Sequence, residues 1–206
     1  MAKQEPLVYG RFYHIYNRGN NGEVIFHSEE NYRFFLRQYI HYIEVIATTF
    51  AYCLLPNHFH FLIYVRSEVE QKAYHERFHL SKRWNLLDPS KQFRLFFTSY
   101  AMAFNRQHQR TGSLFQKNFK RKSVNHRRYF ANLVTYIHQN PQKHGLVADF
   151  RVWPWSSYSA MLSQQTTRLQ RDNVLAWFEG EAAFIEAHEL VADEVVIESL
   201  ITGDWF

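Results

Sequence analysis

His58-Phe59-His60 is the first place in this chain where residue types and spacing could do chemistry. On a β-strand, positions i and i+2 project from one face, so the two imidazoles can converge on one metal ion while Phe59 points into the opposite layer. The spacing alone is weak, because 12 histidines in 206 residues produce about 0.7 His-x-His triplets by chance. Its setting says more. The triplet follows a Pro56-Asn57 turn inside an otherwise apolar segment, where an imidazole needs a reason to be buried. A ligand pair and a pair of core histidines both fit these residues.

A second group lies between positions 126 and 140. At about 100° per residue, Phe130, Leu133, Val134 and Ile137 form an apolar stripe, and Tyr129, Tyr136 and Asn140 share a flank beside it. A phenol with a pKa of about 10 is mostly protonated at neutral pH. Attack on phosphate would therefore need positive surroundings and a polarising cation. Tyrosines on such a flank also serve as packing with the hydroxyl at the rim, and Asn140 before Pro141 also suits a helix cap or turn.

The positive surroundings are present. From Pro89 to Ala148, 60 residues contain no Asp or Glu, while Lys91, Arg94, Arg106, Arg110, Lys117, Lys120, Arg121, Lys122, Arg127, Arg128 and Lys143 supply 11 positive charges. From Asp172 onward the pattern inverts, with 9 acids and no Lys or Arg. The net charge of +5 thus hides a body of +14 and a tail of −9. A body this basic attracts phosphate backbones through counterion release and steering. Opposite charges on one chain are consistent with a tail that docks on its own or a partner's basic face and competes with DNA; a solubilising helix that touches nothing, or one that packs on the body or dimerises, is the alternative.

The elements that must position these groups are legible in outline. Tyr9 to Asn17 alternates like a first strand, closed by the turn Arg18 to Gly22. Ser28 followed by Glu29 and Glu30 starts a helix whose stripe is Tyr32, Phe35, Leu36, Tyr39, Ile43 and Ile46. Phe50–Leu55 and His58–Val65 read as a hairpin across Pro56-Asn57. Residues 68–90 read as a helical excursion with a loop, Phe93 to His108 as a second long helix, and Leu114 to Val124 as a basic strand. A third helix spans His126 to about Asn140, an aromatic loop Trp153–Tyr158 follows, and the acidic tail is helical in pattern around Leu175, Phe178, Phe184, Ile185 and Leu190. Strands interspersed with helices, with an adjacent hairpin, favour an α+β fold with an antiparallel sheet. The hydrophobic fraction of 46% excludes a disordered chain, and the single Cys53 excludes an internal disulfide. The opening MAKQEPLVYG lacks the apolar core of a signal peptide, and no stretch approaches about 18 consecutive apolar residues. A cytoplasmic protein with no membrane partner is expected.

Leu55-Pro56-Asn57-His58-Phe59-His60, together with the segment from Tyr136-Ile137-His138-Gln139-Asn140-Pro141 to Val147, resembles the paired signature of the HUH single-tyrosine transposases. The REP-associated tyrosine transposases are the nearest branch. Tyr13-His14-Ile15-Tyr16-Asn17-Arg18-Gly19, Gly112-Ser113-Leu114-Phe115-Gln116 and Trp155-Ser156-Ser157-Tyr158 extend the likeness from about Tyr9 to Tyr158. Gln142, where an apolar residue is usual, and the acidic segment after about Gln164 depart from it.

The resemblance implies a ferredoxin-like α+β fold, with a domain over 1–160 and an acidic, helical extension over 161–206. It implies Tyr136 as nucleophile, with Tyr129 and Tyr100 as rivals on spacing grounds, and His58, His60 and Asn140 as ligands of Mg2+ or Mn2+. The activity implied is cleavage and joining of single-stranded or hairpin DNA through a 5′-phosphotyrosine. The alternative is a domesticated relative that binds hairpins without cutting. Arg18, Arg106, Arg110, Lys117, Lys120, Arg121, Lys122, Arg127 and Arg128 are the expected phosphate contacts, and a homodimer is left open. A zinc hydrolase built on the same histidines lacks a His-Glu-x-x-His or cysteine pair to support it.

Overall fold

Period-two alternation on four strands creates two apolar faces, and helices cover both. The computed structural model describes residues 6–80, 83–125 and 127–190, the side chains of 127 and 128 excepted. Strands β1 (Phe12–Arg18), β2 (Ala47–Leu55), β3 (His58–Val65) and β4 (Lys120–Val124) form a sheet in the order β2-β3-β1-β4. All neighbouring pairs are antiparallel. With α1 (Glu29–Ile43) between β1 and β2, and α2 (Glu68–Phe78) and α3 (Pro89–Gln107) between β3 and β4, this is the expected ferredoxin-like order. The helix α4 (Arg127–Lys143) follows β4.

Tyr13 and Ile15 of β1 and Phe59, Phe61 and Ile63 of β3 face α1 and α3, where Phe35, Tyr39, Phe93, Phe96 and Tyr100 complete a first core. Tyr16, Leu62 and Cys53 face the other way, toward Phe130, Leu133, Val134 and Ile137 of α4. The expected stripe of α4 is therefore buried against the sheet. Each fully buried ring contributes about 2 kcal/mol in transfer terms, so both faces are substantial. Phe59→Ala would open a cavity at the centre of the first core and cost about 3–5 kcal/mol.

Local chemistry sets most element ends. Ser67 and Glu70 form a reciprocal capping box at α2, and Asp88 accepts from the Lys91 amide at 2.6 Å to start α3, with Pro89 in its first turn. Ser28 precedes α1 in an extended conformation, but its hydroxyl makes no capping bond; Asn31 Oδ1 instead accepts from the His27 amide at 3.0 Å. The first strand starts at Phe12 rather than Tyr9, because Gly10 takes φ +74° and interrupts the extended chain. The basic strand is also shorter than 114–124. Leu114, Phe115 and Phe119 drop their side chains into the core side of an irregular segment, leaving only Lys120–Val124 paired in β4.

A short helix α5 (Tyr158–Leu162) follows the aromatic loop, and α6 (Arg171–Trp177) and α7 (Glu181–Glu189) carry the described part of the acidic tail. Val174, Phe178 and Phe184 are buried in the second core. The described tail thus extends the second core with apolar side chains, Trp177 stacking on Phe130 of α4 at 4.2 Å. Asp193, Glu194, Glu198 and Asp204 lie outside the described residues. Among the described residues no helix is long and apolar enough to cross a membrane.

Candidate active site

Alternation on β3 puts His58 and His60 on the α4 face and Phe59 on the other, and the flank of α4 beside its stripe brings Tyr136 and Asn140 over them. The rings of His60 and Tyr136 stand 5.5 Å apart, nearly perpendicular, and those of His58 and His60 5.3 Å apart at 89°. Tyr136 is buried, with Lys143 Nζ 5.5 Å from its ring centre.

The outer nitrogens of both histidines are held by neighbours. His58 Nδ1 donates to Asn57 Oδ1 at 2.7 Å, and Asn57 Nδ2 donates to the Gly22 carbonyl at 3.3 Å, which fixes the amide orientation. The proton of neutral His58 therefore sits on Nδ1 and the lone pair on Nε2. His60 Nδ1 lies 2.9 Å from Nε2 of His14, a fully buried residue of β1 that stacks on Tyr16 at 4.6 Å. His60 Nε2 is buried and has no hydrogen-bond partner among the described residues. A lone pair on that nitrogen requires His60 Nδ1 to be the donor to His14, the arrangement in which a ligating imidazole gives its second N–H to a neighbour.

Asn140 is the third candidate donor. It is not a cap: α4 continues through Pro141 to Lys143 and closes with Leu146 N–H to Pro141 O and Gly145 N–H to Gln142 O, Gly145 taking φ +66°. Asn140 is fully buried, its Nδ2 donates to the Tyr136 carbonyl at 2.9 Å, and its Oδ1 has no hydrogen-bond partner of good geometry among the described residues. The amide nevertheless faces His58 closely enough to favour its protonated form.

Desolvation dominates the electrostatics. Burial, helped by His144 and Arg18, pushes His58 down to about 3; burial pushes His14 to about 3; burial and then the neighbouring His14 hold His60 well below the usual imidazole range. All three rings are neutral at pH 7, the form that ligates a cation. Among the described residues no three of His, Cys, Asp and Glu converge on a possible metal position. Two imidazoles and an amide oxygen remain as the candidate donor set. That set fits Mn2+ well and accommodates Mg2+, which prefers oxygen.

The rival tyrosines separate by place. Tyr100 sits on the opposite sheet face, fully buried, donating its hydroxyl to the Ile25 carbonyl at 2.5 Å, and burial raises its pKa. Tyr129 lies partly buried two turns before Tyr136, against the second core. Sequence reasoning missed His14, Asn57 and His144, whose ring lies 4.8 Å from that of His58. A histidine within the apolar alternation of β1 was the available signal for His14.

The basic residues divide between the sheet faces. In the β-ladders Arg18 stands opposite His58, Lys122 opposite His14 and Lys120 opposite Tyr16, so these three share the histidine face. Arg121 stands opposite Ile15 on the other face, over the Phe119 ring at 4.2 Å and donating to Ser90 Oγ at 3.1 Å. Arg106 and Lys117 are exposed, whereas Arg110 is engaged by Glu23 and by Asn105. Arg127 and Arg128 open α4, with side chains outside the described residues.

No family model matches the chain. Over 110 residues it is 31% identical to a protein of Haemophilus influenzae that bears the name REP-associated tyrosine transposase, covering 53% of this chain and 58% of that one. The chain thus spans a little over half the length of that curated relative. Its fold is similar to a REP-associated tyrosine transposase solved bound to a REP hairpin, with a TM-score of 0.59, 16% identity, and coverage of 80% of this chain and 87% of that one. Both belong to the family that the sequence motifs resemble, and at 16% identity the second likeness is one of fold.

Proposed function

We propose that this chain is a metal-dependent single-stranded DNA endonuclease and strand transferase that holds hairpin DNA and cuts it through a 5′-phosphotyrosine. The observation that carries the reading is that His58 and His60 pack beside Tyr136 under α4, with His60 Nε2 and Asn140 Oδ1 buried and without a hydrogen-bond partner among the described residues. A divalent cation held by His58, His60 and Asn140 would polarise the scissile phosphate. Tyr136 Oη attacks phosphorus as the bond to the 3′-oxygen breaks; the phenolic proton leaves to solvent and the departing oxygen takes one up as a 3′-hydroxyl. The 5′-phosphate stays on Tyr136 until another 3′-hydroxyl reverses the step, so joining needs no external energy source. Arg18, Lys120 and Lys122 flank the site on the same sheet face, where they would hold backbone phosphates.

A nicking assay on a folded single-stranded DNA tests the activity. Cleavage is expected with Mn2+ or Mg2+, to stop in excess EDTA and to return when the cation is restored. Binding of the hairpin with no cleavage under any of these conditions would instead identify a domesticated, non-catalytic binder, and undiminished cleavage in EDTA would remove the metal from the reaction.

A further inference from the structure

On the flank of α4 away from Tyr136, a chain of buried polar groups crosses the second core. At about 100° per residue His138 falls about 80° to one side of Phe130, while Tyr136 and Asn140 fall about 120° and 80° to the other, so the apolar stripe lies between them. His138, Ser157 and His188 are buried, the first two completely. His188 Nδ1 lies 2.7 Å from the Phe184 carbonyl, which can only accept, so in the neutral ring that nitrogen carries the proton and Nε2 the lone pair. His138 Nδ1 must then donate to His188 Nε2 at 2.8 Å, which leaves His138 Nε2 to accept from the Ser157 hydroxyl at 2.8 Å. Ser157 Oγ in turn accepts from the Tyr52 amide at 2.9 Å, and the Ser157 amide donates to the Tyr52 carbonyl at 2.9 Å. Every donor in the chain meets an acceptor, and all the bonds run in one direction.

The chain is anchored on the sheet that carries the histidine pair. Tyr52 adjoins Cys53 of β2, and Cys53 stands opposite His60 of β3. At its other end, Gln139 donates to the His188 and Leu190 carbonyls at 3.0 and 2.7 Å, so the end of α7 is bonded to the same turn of α4. Apolar contacts along the stripe are non-directional and tolerate some rolling of the helix about its axis, whereas hydrogen bonds weaken steeply when bent. At about 5–6 Å from the axis, a roll of about 10° displaces a side chain by about 1 Å, a misplacement of the size that costs about 100-fold in rate.

We propose that His138, Ser157 and His188 are positioning residues, whose hydrogen-bonded chain fixes the axial roll of α4 and with it the place of Tyr136 over His60. The proposal rests on the proposed function, and the test reads the position of Tyr136 both with and without chemistry. His188→Phe keeps a ring among Tyr158, Phe178 and Phe184 but removes the acceptor for His138, and His188→Gln offers an amide oxygen in its place. On the full chain, the rate of adduct formation and the hairpin Kd are measured with Mn2+, and the fluorine NMR signal of a ring-fluorinated tyrosine at position 136 is recorded without DNA. His188→Phe should form the adduct at least about tenfold more slowly at unchanged hairpin Kd, with the fluorine signal shifted or broadened, and His188→Gln should recover part of both. Ser157→Ala, which removes the donor at the other end of the chain, should behave like His188→Phe. Either a wild-type rate or an unchanged fluorine signal in a folded His188→Phe or Ser157→Ala protein would overturn the proposal. Loss of the fold in both variants would do the same, because the chain would then serve stability alone. A wild type that gives no adduct, with a fluorine signal that still moves in the variants, would remove the proposed function and leave the positioning of Tyr136 in place.

Discussion

At the residue scale, the proposed metal site would depend on the atoms that orient its candidate ligands as much as on those ligands. His14 is fully buried and its sole described hydrogen bond is to His60 Nδ1, so it holds the orientation of the His60 ring. His14→Ala is expected to weaken Mn2+ binding, followed by calorimetry or the electron paramagnetic resonance of the ion, by about 10- to 100-fold. His14→Gln, whose amide oxygen can accept from His60 Nδ1, should recover part of the loss. Equal Mn2+ affinity in wild type and a folded His14→Ala protein would show that His14 only fills space. That His58 and His60 share one strand face and that Tyr129, Tyr136 and Asn140 share one helix flank is legible in the sequence because strand and helix periods decide which side chains share a face, whereas the choice of Tyr136 over Tyr129 and of Asn140 as a ligand comes only from the family resemblance. The coupling of His14 to His60 is not, because it arises from the β1–β3 register across 46 residues of chain.

Among the elements, α4 does most to build the site. It carries Tyr136 and Asn140 and reads in sequence as ending at the Asn-Pro pair, yet it runs on to Lys143. Proline deprives the Ile137 carbonyl of its usual donor, and one helical position earlier the Asn140 side chain donates to the Tyr136 carbonyl. Packing on the sheet then outweighs the local tendency to stop. Gly145 ends the helix at φ +66°, and a Cβ there would meet nothing within 4 Å, so the cost of a side chain is conformational only. Gly145→Ala should therefore lower unfolding free energy by about 1 kcal/mol in a urea titration. No loss would mean that the helix end relaxes and that its geometry does not hold Asn140 in place. The strands around the Pro56-Asn57 turn follow their sequence closely, whereas residues 114–119 do not, because their pairing stops at one isolated bridge between Gly19 and Phe115 while the side chains of Phe115 and Phe119 enter the core.

At the scale of the whole molecule, segregated charge is visible in the sequence, but its division between two sheet faces is not, since that depends on which residue of β4 stands opposite Ile15. The packing of the acidic tail is likewise a property of the fold. Its charge makes it a candidate competitor for DNA; in the fold, Val174, Phe178 and Phe184 also lie in the second core, His138 bonds to His188 at 2.8 Å and to Ser157 at 2.8 Å, and Gln139 donates to the carbonyls of His188 and Leu190. Phe184→Ala is expected to cost about 3–5 kcal/mol of stability, measured by denaturant unfolding. A cost below about 1 kcal/mol would return the tail to the role of a loosely attached charged extension. Truncation after Arg171 should likewise destabilise the body, so any gain in DNA affinity must be read on protein shown to be folded. The central claim is that Tyr136 forms the covalent bond to DNA. The most direct measurement is the denaturant-resistant protein–DNA adduct formed with labelled folded single-stranded DNA and Mn2+. Wild type should give the adduct, and Tyr136→Phe, which keeps the ring in the second core, should bind the DNA and give none. An adduct that persists in the folded Tyr136→Phe protein would contradict the account and transfer the chemistry to Tyr129 or another nucleophile.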